Sequence, residues 1–232
     1  MTLKAVFIDV GNTLLYEKPS RFEIYAEGAR RRGCTVSTEA MKELMRRAHR
    51  ELPSQVGGAF RYTDPWFEAY IERIFHRYLG LARSDLPGVH EELFGRFSRP
   101  ETFALHAGGD ELLLDLARRG LRIGIVSNWS TRLPALLERM GIARRVNFVL
   151  CSAIERAEKP DAAIFERALA LAEVEPHEAL HAGDDFEKDV LGARRVGIRA
   201  VLVDHSGAHA SGEVPRVKDL FQLSELIARL TG

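Results

Sequence analysis

The chain has 232 residues, 46% hydrophobic and 28% charged, which is the make-up of an ordinary soluble globular protein with room for one large domain or a core plus an insert. Lys+Arg and Asp+Glu both number 33, so no net field draws the chain to nucleic acid or to an anionic membrane. The two cysteines, Cys34 and Cys151, stand far apart outside any C-x-x-C spacing, which excludes a cysteine-built zinc cluster, gives no disulfide framework and fits a reducing cytoplasm.

"MTLKAVFID" carries a short apolar run that ends at Asp9. It reads as a first strand, since a signal peptide needs a longer apolar segment and a membrane span needs ~18 residues. After the turn residues "GNT" the pattern becomes helical for about eighty residues. A capping box, Ser20 to Glu23, opens the first helix and Gly33 closes it. A second helix is predicted over Ser37–Glu51. The third takes Asp64 as N-cap, Pro65 at its first position and Gly80 at its end. Its residues Trp66, Phe67, Tyr70, Ile71, Ile74, Phe75, Tyr78 and Leu79 form one broad apolar stripe, read as core packing. A fourth helix is predicted between Pro87 and Phe97. The basic clusters at 29–33 and 45–50 lie on these helical patterns and read as solvated faces.

From about residue 108 strands and helices alternate. Strands are predicted at 121–126, 146–150, 178–183 and 198–203, with amphipathic helices between them ending at Gly120, Gly141 and Gly197. Such alternation predicts an α/β fold with a Rossmann-like parallel sheet covered on both faces. The first strand belongs to that sheet by composition. The expected organisation is therefore a core of residues 1–15 and 100–232 with a helical-bundle cap, 16–99, inserted after the first strand.

Ligands of parallel sheets bind at the carboxyl ends of the strands, and here each strand delivers its polar residues at that end. The first delivers Asp9, the next Ser127 and Asn128, and "EALHAG" delivers Asp184 and Asp185, with Asp189 one turn later. Lys159 precedes Pro160 on extended chain ahead of the next helix. Gathered in one cleft, Asp9, Asp184, Asp185 and Asp189 would repel one another and take up protons unless a cation joined them. One lysine is not enough. A hard divalent ion such as Mg²⁺ is, and it is commonly held by one or two carboxylates together with waters and substrate phosphate.

Asp9-x-x-x-Thr13, Ser127-Asn128, Lys159-Pro160-Asp161 and "GDDFEKD" (183–189) resemble the four ordered motifs of the haloacid dehalogenase superfamily, and the helical insert resembles its cap. The resemblance covers essentially the whole chain. It implies that Asp9 is a nucleophile attacking phosphorus to form an aspartyl-phosphate, that Ser127 and the backbone around Asn128 hold the phosphoryl oxygens, and that Lys159 neutralises nucleophile and transferring group. It implies further that Asp9 and Asp184 bind Mg²⁺ directly, with Asp185 and Asp189 either touching the ion or one layer behind and the Gly11 carbonyl as another ligand. The implied substrate is a small phosphorylated molecule, with neither nucleic acid nor membrane as a partner; oligomeric state is not legible.

Gly11 departs from the family's phosphatases, in which the residue two after the nucleophile is usually a second aspartate that serves as acid and base. Glycine can do neither, although the turn itself could want glycine there. General acid–base catalysis is worth about 10²–10⁴-fold, so aryl and acyl phosphates, with good leaving groups, suffer least from its loss. Tyr16, Glu17 and Tyr62 are the candidates to supply a proton instead. Two other readings stand beside a slow or narrow phosphatase: a 2-haloacid dehalogenase, whose halide leaves without a proton, and a non-catalytic Mg²⁺- and phosphate-binding member. Against the dehalogenase, "GDDFEKD" would repel an anionic halo-acid, and dehalogenases of this family lack that acidic motif. Trp129 lines the site or packs the sheet edge; His181 reads as a core histidine, and His205 and His209 as loop residues. The loop at 52–63 is a candidate for substrate selection.

Overall fold

The computed structural model describes residues 2–207 and 214–231; His209 lies outside them. In chain order the elements are β1 (Ala5–Ile8), β2 (Leu15–Glu17), α1 (Arg21–Arg30), α2 (Thr38–Glu51), β3 (Gln55–Val56), β4 (Ala59–Phe60), α3 (Asp64–Glu72) and α4 (Leu86–Arg96). Then come β5 (Phe103–Leu105), α5 (Gly109–Arg118), β6 (Arg122–Ser127), α6 (Leu133–Arg139), β7 (Phe148–Cys151), α7 (Ser152–Glu155) and α8 (Ala162–Ala172). The last are β8 (Ala179–Gly183), α9 (Gly192–Arg195), β9 (Arg199–Val203), β10 (Arg216–Val217) and α10 (Leu220–Thr231). Two compact units result, one of residues 1–16 and 105–232 and the other of residues 17–104.

The larger unit is built on a six-stranded sheet in the order β10-β9-β8-β1-β6-β7, every adjacent pair parallel. Counted along the sheet's own strands, that is the doubly wound order in which β1 lies centrally and the winding reverses between β1 and β8. The register sets Ile8 opposite both Ile125 and Ala182, so the residues just past β1, β6 and β8 reach the same sheet edge. Strands buried on both faces read as continuous apolar runs, and β1 is wholly buried over its four residues. On α8, Ile164, Phe165, Ala168, Leu169 and Ala172 recur at helical spacing and pack with Phe7, Val126, Leu150 and Ala200 into one core.

The smaller unit is helical with a two-stranded antiparallel hairpin, β3 and β4, inside the 52–63 loop. Its core gathers Tyr25 and Met41 with Trp66, Tyr70, Ile71, Ile74 and Phe75 of the stripe expected to be core, while Phe67, Tyr78 and Leu79 of that stripe pack against it partly buried. Trp66 and Tyr70 stack with ring centroids 5.4 Å apart, and their polar tips are satisfied by Pro53 O at 2.8 Å and Met45 O at 3.0 Å. Two local expectations shift. The N-cap of α3 is Thr63, and Asp64 is its first helical residue; Thr63 Oγ1 donates to Phe60 O at 2.6 Å, so no side chain caps the helix. The helix also does not run evenly to Gly80, since Arg73–Tyr78 widens into a π-helical turn. Of the box opening α1, only half forms: Ser20 accepts from the Glu23 amide at 3.3 Å, while the Glu23 carboxylate goes to Arg30 and Thr38. Among the described residues no helix is long and apolar enough to cross a membrane.

Candidate active site

The site lies at the carboxyl edge of the sheet, at the reversal between β1 and β8. Asp9 follows β1, and its amide is fixed by Ala182 O at 2.9 Å. One carboxylate oxygen, Oδ1, accepts from Ser127 Oγ at 2.9 Å and from Lys159 Nζ at 2.7 Å; the other, Oδ2, has Thr13 Oγ1 at 3.3 Å. Thr13 Oγ1 also lies 3.5 Å from Asp184 Oδ1, so this single hydroxyl stands between the two carboxylates. Lys159 is 3% exposed and spends a second N–H on Asp189 Oδ1 at 2.5 Å. Asp189 accepts three hydrogen bonds: Oδ1 from Lys159 and from His181 Nε2 at 2.8 Å, and Oδ2 from the Asp185 amide at 3.0 Å.

Burial alone would push the Asp189 carboxyl up, but the Lys159 charge and the His181 hydrogen bond outweigh it and hold the group well below the usual carboxylate range. Burial likewise disfavours the Lys159 ammonium, and the flanking Asp189 and Asp9 outweigh that and raise its pKa. Asp184 has no such partner. Burial, then the charges of Asp9 and Asp189, push it up to about 7. One ammonium thus faces three carboxylates whose oxygens lie within 4.8 Å of one another, and with all three ionised the set is short of two positive charges. Those donors are hard oxygens, the kind that hold Mg²⁺.

Asp9, Ser127, Lys159, Asp184 and Asp189 therefore converge. Asn128 lies beside them, but its side chain is spent on the backbone of Lys159: Nδ2 donates to Lys159 O at 2.9 Å, and Oδ1 accepts from Lys159 N at 2.8 Å. That reciprocal pair fastens the Lys159 loop to the end of β6. Asp185 is placed elsewhere. Its Oδ1 caps the turn at Glu187 N and Lys188 N, at 3.1 Å and 3.0 Å, and its Oδ2 meets Lys188 Nζ at 2.6 Å. Gly11 pairs with Leu15 in an isolated bridge, and it is not among the glycines with left-handed backbone, so the turn does not demand glycine there.

Of the proton donors considered in place of an acid at position 11, Glu17 is held by Arg21 at 2.6 Å and Tyr62 Oη by His49 Nε2 at 3.2 Å, both within the helical unit. The Tyr16 ring packs 4.8 Å from that of His106. Gly183 is tight for a different reason: a Cβ there would come within 2.2 Å of Asp189 Cγ. Gly183→Ala is expected to cost about 1–3 kcal/mol as overpacking and to push Asp189 off Lys159. Thermal unfolding checks the first effect; an unchanged melting temperature would show that Asp189 moves freely.

Two side chains far apart in sequence complete the surroundings. His106 and His205 stack with centroids 3.6 Å apart and planes at 4°, and His205 Nε2 lies 3.0 Å from Thr13 O. His106 Nε2 is buried without a partner among the described residues, and burial followed by the neighbouring His205 lowers the His106 pKa to about 4. The folded protein thus refuses a proton that the unfolded chain accepts from about pH 6.5 downward, so this group's stability contribution is lost as pH falls from 6.5 through 4. His106→Phe is expected to keep the stack, remove the orphaned nitrogen and lose less stability over that window. Parallel melting curves at pH 7 and pH 5 check it; equal losses in both proteins would refute the assignment.

A model of the haloacid dehalogenase-like hydrolase family matches residues 3–197. The chain belongs to that family. Haloacid dehalogenase-like hydrolase domain-containing protein 3 from Bos taurus is 30% identical over 99% of this chain and 94% of its own length. Phosphoserine phosphatase from Thermus thermophilus is 28% identical, covering 87% of this chain and 89% of its own. Among solved structures, a haloacid dehalogenase-type phosphatase from Thermococcus onnurineus superposes with a TM-score of 0.68 at 23% identity, covering 97% of this chain and 98% of that one. At that identity the likeness is one of fold.

Proposed function

We propose that the protein is a Mg²⁺-dependent phosphohydrolase that attacks a small phosphate ester with Asp9 and passes through an aspartyl-phosphate. The observation that carries this reading is the charge shortfall: Asp9, Asp184 and Asp189 face one ammonium, and Asp184 is raised to about 7 for want of another cation. Asp9 Oδ2 and Asp184 Oδ1 both lie at Thr13 Oγ1, so these two carboxylates would hold the ion, with the Gly11 carbonyl as the further ligand that the family resemblance implies. When bound, Mg²⁺ would neutralise charge on the phosphoryl group and the carboxylates that face it.

The chain's own groups do the rest. Lys159 and Ser127 both grip Asp9 Oδ1, which fixes the carboxylate with Oδ2 turned toward Thr13 and Asp184. Lys159 has a third N–H for a phosphoryl oxygen, so it stabilises the charge that spreads over the transferring group. The carboxylate oxygen forms a bond to phosphorus as the bond to the leaving oxygen breaks; water later cleaves the acyl phosphate and restores Asp9. No side chain at position 11 protonates the leaving oxygen, which favours aryl and acyl phosphates over alkyl ones. A dehalogenase would need no additional cation, and its anionic substrate would meet the Asp184 charge. The identity of relatives such as the Thermus phosphatase supports phosphate esters as well.

The test is hydrolysis of p-nitrophenyl phosphate. It should require Mg²⁺, stop with EDTA and fall below detection in Asp9→Asn, and acid quenching during turnover should leave phosphate on an Asp9-containing peptide. Halide release from 2-haloacids without metal would favour the dehalogenase; binding of phosphate compounds with no turnover over a broad panel would favour a non-catalytic member.

A further inference from the structure

We infer that His181 is a positioning residue of this site: its Nε2–H holds Asp189 so that Lys159 is shared between Asp189 and Asp9 instead of being captured by Asp189. His181 sits in the middle of β8, fully buried, with its ring edge-on to Phe165 of α8 at 5.2 Å and 82°. A carboxylate only accepts hydrogen bonds, so the nitrogen facing Asp189 Oδ1 at 2.8 Å carries the proton. In the neutral ring Nδ1 then holds a lone pair, and among the described residues Nδ1 has no partner.

That orphan is informative. A side chain present only to fill the space beside Phe165 would be apolar and would leave no buried nitrogen unpaired. The histidine keeps this defect together with one well-formed bond, and the bond goes to the carboxylate that anchors the site's single lysine. Asp189 Oδ1 divides its negative charge between two donors, His181 Nε2 and Lys159 Nζ. Without the first donor Oδ1 would bond Lys159 alone, at 2.5 Å, and the ammonium would be drawn away from Asp9, now 2.7 Å off. Such secondary contacts orient the groups that touch substrate, and their loss typically lowers activity about 10–100-fold.

The kinetic consequence rests on the phosphatase reading; the proton position and the lysine's placement do not. His181→Leu fills the volume without a donor, whereas His181→Gln returns an amide N–H near the place of Nε2. On p-nitrophenyl phosphate with Mg²⁺, kcat should fall about tenfold or more in His181→Leu and stay within about threefold of wild type in His181→Gln, although both lose similar stability. Equal losses in the two variants, or none in His181→Leu, would overturn the proposal. Nitrogen NMR of the wild-type protein should find the His181 proton on Nε2 alone, and the Lys159 ammonium resonance should move in His181→Leu but not in His181→Gln. A proton on Nδ1, or an unmoved lysine, would overturn it even if His181→Leu folds too poorly for kinetics. If wild type hydrolyses no phosphate ester, the phosphatase reading falls, and the NMR result still decides the role of His181.

Discussion

Lys159→Met is expected to lower the melting temperature by roughly 6–20 °C, the equivalent of about 3–5 kcal/mol for breaking a buried ion pair in a chain of this size. Methionine keeps the apolar stem and removes only the charge. What remains is Asp9 and Asp189 buried at 2.7 Å and 2.5 Å from a vanished ammonium, with Asp184 beside them. The penalty should shrink in acid, because the carboxylates then take up protons and no longer need a partner. Mg²⁺ should restore part of the stability, since it binds the folded carboxylates and not the unfolded chain. Turnover should fall about 10²–10³-fold, the usual cost of deleting one preorganised donor. Thermal unfolding with and without Mg²⁺ at two pH values measures all but the last. A loss below about 1 kcal/mol would mean that the charge on Lys159 is not what holds the carboxylates together.

Gly11→Asp is expected to act in the opposite direction. If the missing acid limits the reaction, the variant should hydrolyse alkyl phosphates about 10²–10⁴-fold faster and p-nitrophenyl phosphate little faster, because nitrophenolate leaves well without a proton. The backbone permits the change, since Gly11 does not adopt a left-handed conformation. A rate on alkyl phosphates that stays level or drops, in a variant with an unaltered circular dichroism spectrum, would show that the proton already comes from another group.

Much of this architecture follows from patterns short enough to read in one pass. The four later strands, the amphipathic helices between them and the convergence of Asp9, Ser127, Lys159, Asp184 and Asp189 all rest on local periodicity plus one rule about sheet edges. What stayed hidden depends on partners remote in the chain. His181 reads as core from its strand and is core, but its bond to Asp189 requires the turn after β8 to fold back on the strand. The His106–His205 stack joins residues that share no local pattern. Asn128 sits where an anion ligand was expected, and its amide is spent on the backbone of residue 159. Asp185 carried a signal that was available: an aspartate immediately ahead of a helical turn is an N-cap by habit, and the structure uses it as one. The short strands β3, β4 and β10 are two residues each, below the length at which alternation can be seen.

The position of β1 has a consequence for biosynthesis. Its sheet partners, β6 and β8, begin at residues 122 and 179, so the strand leading to the nucleophile is made before either and must wait for both. At translation rates of roughly 5–20 residues per second, the interval before β8 is made is about 10–35 s. Until β6 is made, an apolar segment destined for the centre of the sheet has no strand on either flank, and until β8 is made it has one at most, which makes the nascent chain a natural client for chaperones that shield such segments.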